Sequence, residues 1–400
     1  MKVVVIASLA YSLVNFRGRL LAAMVENGHD VIACAPDSDP EIEDRLRSMG
    51  VAYRRMPMAR TGMNPLTDIV TLLWLIGFLL RNRPQLVLAY TQKPIIYGGI
   101  ASRLVGGTRF FAMVSGLGHV FSESGSRLLP LIRRIVSTLY RFALRRAAAV
   151  FVFNSDDEEE MRRHHILQSG TRVIQVPGSG VDLSHYAQQP VPDGPPIFLM
   201  IARLLRNKGL LEFVEAARIV RALYPQVRCR LLGPLDANPA AVSRATIEAW
   251  QAEGVIEYCG ETRDVRPHLA AASVFVLPSW YREGLPRTLL EAMSVGRAVI
   301  TTDMPGCREP VEEGRNGYLV PARDGAALAQ AMLHFARDPG LAAAMGAAAR
   351  RTAEDRFAVE RVNHLLLTTM NLNAGDPQAQ DRRSPAMMRP GMLQEEAPCP

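Results

Sequence analysis

Short runs of β-branched and aliphatic residues alternate with longer amphipathic stretches almost from the first residue to about residue 370, and the alternation breaks only once. Val3 to Ser8, Val31 to Ala35, Leu86 to Tyr90, Arg109 to Val114 and Ala149 to Phe153 read as strands. Helical patterns at Arg17 to Asn27, Glu41 to Met49, Pro65 to Arg81 and Leu128 to Arg146 are interspersed with them. Strands that alternate with helices pair in parallel, because each crossover helix returns the chain to the same edge of the sheet. The break is QQPVPDGPP, residues 188–196, whose prolines and glycine continue neither element. The pattern then restarts, with strands at Ile197 to Ile201, Arg228 to Leu232, Val255 to Tyr258, Val274 to Leu277, Ala298 to Thr301 and Gly317 to Val320. Gly209 to Leu223, Val265 to Ala271 and Thr288 to Ser294 read as its helices, and Ala326 to Phe335, Leu341 to Arg350 and Val359 to Met370 close it. The expected fold class is α/β: two Rossmann-like, doubly wound domains, 1–187 and 197–370, joined by the linker 188–196 and facing a common cleft. Residues 371–400 lose all periodicity and are expected to be a disordered tail.

The 46 Lys and Arg outnumber the 39 Asp and Glu, giving a net charge of +7 that favours anionic partners: nucleotide phosphates, lipid headgroups or nucleic acid. No reading helix or base-stacking platform accompanies the charge, so nucleic acid ranks last. The five cysteines have no metal-ligand spacing and read as reduced thiols. The opening MKVVVIASL has one Lys and a short apolar run, and fits a buried first strand better than a leader peptide. The longest apolar stretch, Ile69 to Leu80, falls short of the ~20 residues of a spanning helix, so any membrane contact is expected to be peripheral. Two segments carry that expectation. Pro65 to Arg83 offers Leu72, Leu73, Trp74, Leu75, Phe78 and Leu79 before Arg81 and Arg83; Leu128 to Arg146 mixes apolar residues with Arg133, Arg134, Arg141, Arg145 and Arg146, and follows Arg127. Such helices fit an anionic interface, or ordinary packing with a solvated arginine face.

Ligands of doubly wound sheets bind beyond the carboxyl ends of the strands, which directs attention to the loops there. Arg203 follows a strand and Lys208 precedes the Gly209 helix, an arrangement suited to clamping a diphosphate or, failing that, to two solvated cations. Glu283-Gly284-Leu285-Pro286 is a loop ahead of a helix, and Pro286 suits its first turn. Backbone N–H groups at Gly284 and at that helix start would face a phosphate. Glu291 sits among Leu289, Leu290, Ala292 and Met293, so its carboxylate needs a donor, either a ribose diol or a nearby arginine. In Asp303-Met-Pro-Gly-Cys-Arg-Glu309, the last residue either caps a helix starting near Pro310 or holds a ligand. Asn15 and Arg17 fit a phosphate or acceptor contact and fit a plain helix start as well. Gln92 and Lys93 follow a strand on the ligand side. Ser115-Gly-Leu-Gly-His119 places a histidine at the cleft mouth, in a functional or a structural role.

In this order, Arg203 and Lys208, the Glu283 to Glu291 pair, Pro305-Gly-Cys-Arg-Glu309, the Gly178-Ser-Gly-Val-Asp182 turn and Gly116-Leu-Gly before His119 resemble family 4 of the retaining glycosyltransferases, across roughly residues 1 to 367. The resemblance implies the two-domain GT-B fold. It also implies that Arg203 and Lys208 hold the donor diphosphate, that Glu291 binds the ribose, and that Glu283 approaches the transferred sugar, with Gly284 and Leu285 in the same donor-binding segment. His119 would contact that sugar from the first domain. Leu13-Val-Asn-Phe-Arg17 stands where many relatives have a double-glycine loop, and resembles the branch that builds bacterial surface polysaccharides on undecaprenyl diphosphate. The implied reaction is front-face transfer of a hexose or N-acetylhexosamine, assisted by the leaving diphosphate, from a UDP-sugar to a lipid-linked or polysaccharide acceptor. No cofactor or metal is implied, and the implied location is cytoplasmic, peripheral at the inner face of the inner membrane. A GT-B sugar-nucleotide epimerase and a non-enzymatic nucleotide-sugar scaffold are the alternatives.

Overall fold

The structure, a computed structural model, describes residues 1–59, 62, 64–117, 129–236, 238 and 240–374. In the first domain β1 (Lys2–Ile6), β2 (Asp30–Ala35), β3 (Ala52–Arg55), β4 (Leu86–Tyr90), β5 (Arg109–Val114), β6 (Ala149–Val152) and β7 (Val173–Gln175) form one sheet. Their order is β3-β2-β1-β4-β5-β6-β7, parallel throughout. The helices are α1 (Ala10–Asn15), α2 (Gly18–Glu26), α3 (Pro40–Ser48), α4 (Pro65–Asn82), α5 (Gln92–Val105), α6 (Leu129–Leu144) and α7 (Ser155–Arg163). The second domain has β8 (Ile197–Ile201), β9 (Arg228–Leu232), β10 (Glu257–Tyr258), β11 (Val274–Leu277), β12 (Ala298–Thr302) and β13 (Gly317–Val320), in the parallel order β10-β9-β8-β11-β12-β13. Its helices are α8 (Leu210–Leu223), α9 (Arg244–Ala252), α10 (Arg266–Ala270), α11 (Arg287–Val295), α12 (Gly325–Arg337) and α13 (Pro339–Thr352), and α14 (Val359–Met370) ends the fold.

Val3 and Val5 pack to one side of the first sheet and Val4 and Ile6 to the other. A sheet covered on both faces needs apolar residues at every position, which is why the central strands are continuous hydrophobic runs. Two edge strands escape that rule and were not expected: β3 is AYRR, largely open to solvent, and β7 has three residues. Helix α5 stands where no helix is expected from the sequence, and it contains Pro94, Gly98 and Gly99. The glycines are required by proximity, since a Cβ on Gly99 would lie 2.9 Å from the Ala143 carbonyl oxygen and from the Phe110 ring. Helix α7, SDDEEEMRR, lacks an apolar stripe. It is started by the Asn154 side chain, which accepts from Asp157 N–H at 2.7 Å, with acids in its first turn and arginines in its last. The stretch between β1 and Arg17 contains α1, so the single helix expected from Arg17 is the second of two.

Helix α4 matches the helix expected over Pro65 to Arg81; at eighteen residues it reaches, by length and composition alone, the minimum for crossing a membrane. Only Thr71, Leu75 and Leu79 are fully buried, on the side facing the rest of the domain. The chain returns to the first domain at its end. Val181 bridges Ala358, α14 packs on α2, and the Leu372 carbonyl accepts from Asn27 Nδ2 at 2.9 Å. Leu372 is fully buried, so order continues past Asn371, where the tail was expected to begin; residues 375–400 lie outside the described residues.

Candidate functional site

Lys208 ends a single 3-10 turn, Arg206–Lys208, that follows β8, and Gly209 then opens α8. Gly209 has φ +82°, and a Cβ there would lie 2.1 Å from the Pro278 carbonyl oxygen, which brings this turn against the segment after β11. That contact sets Lys208 beside Glu283. The ammonium and the Glu283 carboxylate form a close ion pair, the Ser279 hydroxyl donates to the same carboxylate oxygen at 3.0 Å, and the Tyr281 ring lies 5.6 Å from Nζ. Arg203 is on the same side but reaches outward; it is 57% exposed and meets Asp236 at 3.3 Å. An exposed arginine beside a half-buried Lys–Glu pair offers two cations to a diphosphate arriving at this edge.

Glu291 lies apart from that pair, one turn into α11. Its carboxylate takes Arg287 Nε at 3.2 Å, and Arg287 also donates to the Asn15 carbonyl oxygen across the domain boundary. Of the two partners open to Glu291 in sequence, the arginine is the one it has here. The two also line an interdomain cleft of about 650 Å³, together with Phe16, Asp182, Tyr186 and Asp264. Burial, with Glu291 beside it, pushes the Tyr186 phenol above its ordinary range. Arg203, Lys208 and Glu283 do not line this cleft.

Gly284 is one place where the domains meet closely. A Cβ there would sit 2.2 Å from the Ser115 carbonyl oxygen, and one on Gly116, where φ is +112°, would sit 3.0 Å from Gly284 N. From the first domain Asn154 Nδ2 donates to the Gly284 carbonyl at 2.8 Å. Leu285 is buried against Gly178. Beside it, Arg282 approaches Asp157 at 3.9 Å and Glu160 at 3.7 Å. Burial raises the Asp157 carboxyl to about 7, against the pull of Arg282 and Asn154 and with Asp156 and Glu160 adding to the rise. Folded Asp157 therefore keeps a proton that the unfolded chain has lost, and its contribution to stability declines as pH rises from about 4 through about 7. Asp157→Asn is expected to show a flatter fall in melting temperature between pH 5 and pH 8 than the parent. Parallel curves would contradict the assignment.

Other expectations resolve differently. His119 lies outside the described residues. No helix starts near Pro310; Glu309 is instead half-buried, its carboxyl raised by burial and by Asp156, with Arg308 and Arg356 opposing. Lys93 is tied to Asp68 at 2.9 Å. The chain has an Asp-x-Asp triplet, Asp37-Ser-Asp39, but both carboxylates cap backbone: Asp37 accepts from Ala10 N–H at 2.8 Å and Asp39 from Glu41 N–H at 3.0 Å. Cys34, Cys229 and Cys307 are buried thiols pushed up to about 12, too weakly acidic to act as nucleophiles. Asn154, Asp157, Arg282 and Tyr186 do not stand out in the sequence: Asn154 caps α7 locally, but its contact with Gly284, the approach of Arg282 to Asp157 and the place of Tyr186 beside Glu291 arise only across the domain boundary.

Comparison with known proteins agrees with this architecture. Residues 15–177 match the glycosyl transferase 4-like domain and residues 195–338 match glycosyl transferases group 1. The chain is 26% identical over 319 residues to N,N'-diacetylbacillosaminyl-diphospho-undecaprenol alpha-1,3-N-acetylgalactosaminyltransferase of Campylobacter jejuni, covering 76% of this chain and 81% of that one. It is 34% identical over 209 residues to the putative colanic acid biosynthesis glycosyltransferase WcaL of Escherichia coli, about half of each chain at 49% and 50%. Anabaena HepE in complex with UDP superposes with a TM-score of 0.74 at 18% identity, over 93% of this chain and all of that one. Sucrose-phosphate synthase of Thermosynechococcus elongatus gives 0.77 at 21%, over 93% and 98%. These structures establish the GT-B fold.

Proposed function

Because this chain belongs to the glycosyltransferases, a 4-like domain followed by a group 1 domain, we propose that it transfers a hexose or N-acetylhexosamine, with retention, from a UDP-sugar to an undecaprenyl-diphosphate-linked saccharide. Membership in that family sets aside the scaffold and epimerase alternatives. The observation that carries the reading is the Lys208–Glu283 pair at the carboxyl edge of the second sheet, directly beside the Gly284 contact with the first domain. Lys208 and Arg203 would stabilise charge as it develops on the leaving diphosphate, with the Gly284 and Leu285 backbone adding donors. Glu283 would face the transferred sugar and His119 would meet it from the opposite domain. Glu291 would exchange Arg287 for the ribose hydroxyls. The UDP of HepE and the lipid-linked acceptor named for the Campylobacter relative support the choice of substrates. A donor and acceptor screen with UDP-sugars and undecaprenyl-diphosphate saccharides, read by product mass, tests it. A mass gain of one hexose or N-acetylhexosamine is expected; donor turnover that never labels an acceptor would contradict it.

A lipid-linked acceptor requires access to a membrane, and the first domain has a suitable face. Leu66, Ile69, Val70, Leu73 and Leu80 of α4 and Leu131, Ile135 and Phe142 of α6 are all exposed, and Arg81, Arg134 and Arg141 are exposed beside them. A groove of about 630 Å³ lined by Met56, Met58, Leu66 and Val70 opens at the start of α4. In this reading the enzyme works at the cytoplasmic face of the inner membrane. It is expected to co-sediment with phosphatidylglycerol vesicles, and to do so about tenfold less after the double substitution Ile69→Glu, Leu73→Glu or in high salt. Binding indifferent to both changes would contradict a membrane-facing role for α4.

A further inference from the structure

Arg17 carries a charge that nothing around it neutralises. It stands at the corner between α1 and α2 and is 4% exposed, yet its Nε has no hydrogen-bond partner. Its guanidinium lies against the faces of Tyr90 and Phe153, 5.4 and 5.6 Å from the ring centroids, just past the ends of β4 and β6. Its chain neighbours Phe16 and Gly18 line the interdomain cleft, although Arg17 itself does not. Four arginines that line it are paired: Arg19 meets Asp182 at 2.6 Å, Arg263 meets Glu41 at 2.6 Å, Arg266 meets Asp264 at 2.8 Å and Arg287 meets Glu291 at 3.2 Å, while Arg45 is exposed to solvent. The other cation that acts on Arg17 is Arg287, reaching from the second domain to the Asn15 carbonyl. Burial lowers the Arg17 pKa to about 10, with Arg287 acting in the same direction and Tyr90 opposing, so the group stays charged at neutral pH.

Two ring faces offset part of the cost of desolvating a cation, but a buried, unpaired guanidinium remains unfavourable until an anion meets it. A planar fork of donors matches phosphoryl oxygens better than any other biological anion except a carboxylate. We propose that Arg17 is the first-domain half of an oxyanion subsite that takes a phosphoryl group of a cleft-bound substrate, facing Arg287 across the domain boundary. The proposal rests on the reading of the cleft as a substrate site for phosphorylated ligands. That phosphoryl group belongs to the donor diphosphate or to the diphosphate of a lipid-linked acceptor, and the chemistry recognised is the same.

Arg17→Met keeps the stem and removes the charge; Arg17→Lys keeps the charge and removes the fork. Both are measured by thermal melting and by calorimetric titration with inorganic pyrophosphate, UDP and geranyl diphosphate. Without ligand, R17M is expected to melt at or above the parent, because it no longer buries a lone charge. It is expected to lose about tenfold or more in affinity for pyrophosphate, and R17K to fall between. A loss confined to UDP assigns the subsite to the donor, and a loss confined to geranyl diphosphate assigns it to the acceptor. Unchanged affinity for all three probes, or an R17M that melts well below the parent or fails to fold, makes Arg17 a structural residue and overturns the proposal. Lys208→Ala, titrated with UDP in parallel, separates the two claims: if it binds UDP as the parent does, the diphosphate clamp fails whatever Arg17 does.

Discussion

Lys208→Ala is expected to lower the transfer rate by about a hundredfold or more, with a melting temperature close to that of the parent. The ammonium is 16% exposed and contacts Glu283, Tyr281 and, by position, the edge of the sheet where a diphosphate would sit. Its removal deletes a charge that would act most strongly as the phosphate departs, so the loss should fall on kcat more than on KM. Stability is spared because Ser279 still donates to Glu283 and the carboxylate keeps some solvent access, at 15% exposure. Steady-state kinetics with the best donor of the screen, alongside a melting curve, decides the matter. Normal turnover in a folded variant would remove Lys208 from the chemistry.

Gly284→Ala should cost as much by a different route. The added methyl would begin 2.2 Å from the Ser115 carbonyl oxygen of the opposite domain, closer than any real contact, so the domains would have to separate by about 1 Å. A misplacement of that size between reacting groups is enough to slow transfer about a hundredfold. Nucleotide binding, which in the proposed reading would rest mostly on second-domain side chains, is expected to change little, within about threefold of the parent by calorimetry. A G284A enzyme that transfers at the parental rate would show that the working cleft is more open than this one. Equal loss of UDP binding and transfer would show that the loop itself, and not closure, was damaged.

Much of this fold is legible from hydrophobic pattern alone. Strands such as β4, β5, β8 and β11 are buried at nearly every position, and a run of Val, Leu, Ile and Phe bounded by polar residues has no other good solution in a domain of this size. Among the elements that eluded the pattern, which also include α1, α9 and β7, β3 is an edge, α7 is held by caps and charges, and α5 needs its glycines to fit against Phe110 and Ala143. The site divides in the same way. Lys208, Glu283 and Glu291 stand out because charged residues beside glycine, proline and helix starts follow strands. Their partners do not stand out. The Asn154 contact with Gly284 spans 130 residues, and Arg287 reaches Asn15 over 272, distances at which spacing carries no information. Arg17 was visible as a candidate, but only the folded chain shows that it is buried without a counter-ion.

The central claim is that cations of the second domain hold the donor diphosphate at the interdomain boundary. A crystal structure with UDP bound measures this directly. The diphosphate is expected between Lys208 Nζ and the Arg203 guanidinium, with Arg203 drawn away from Asp236 and the ribose at Glu291. A diphosphate bound elsewhere, with Lys208 still closed on Glu283 and Glu291 still on Arg287, would contradict the claim.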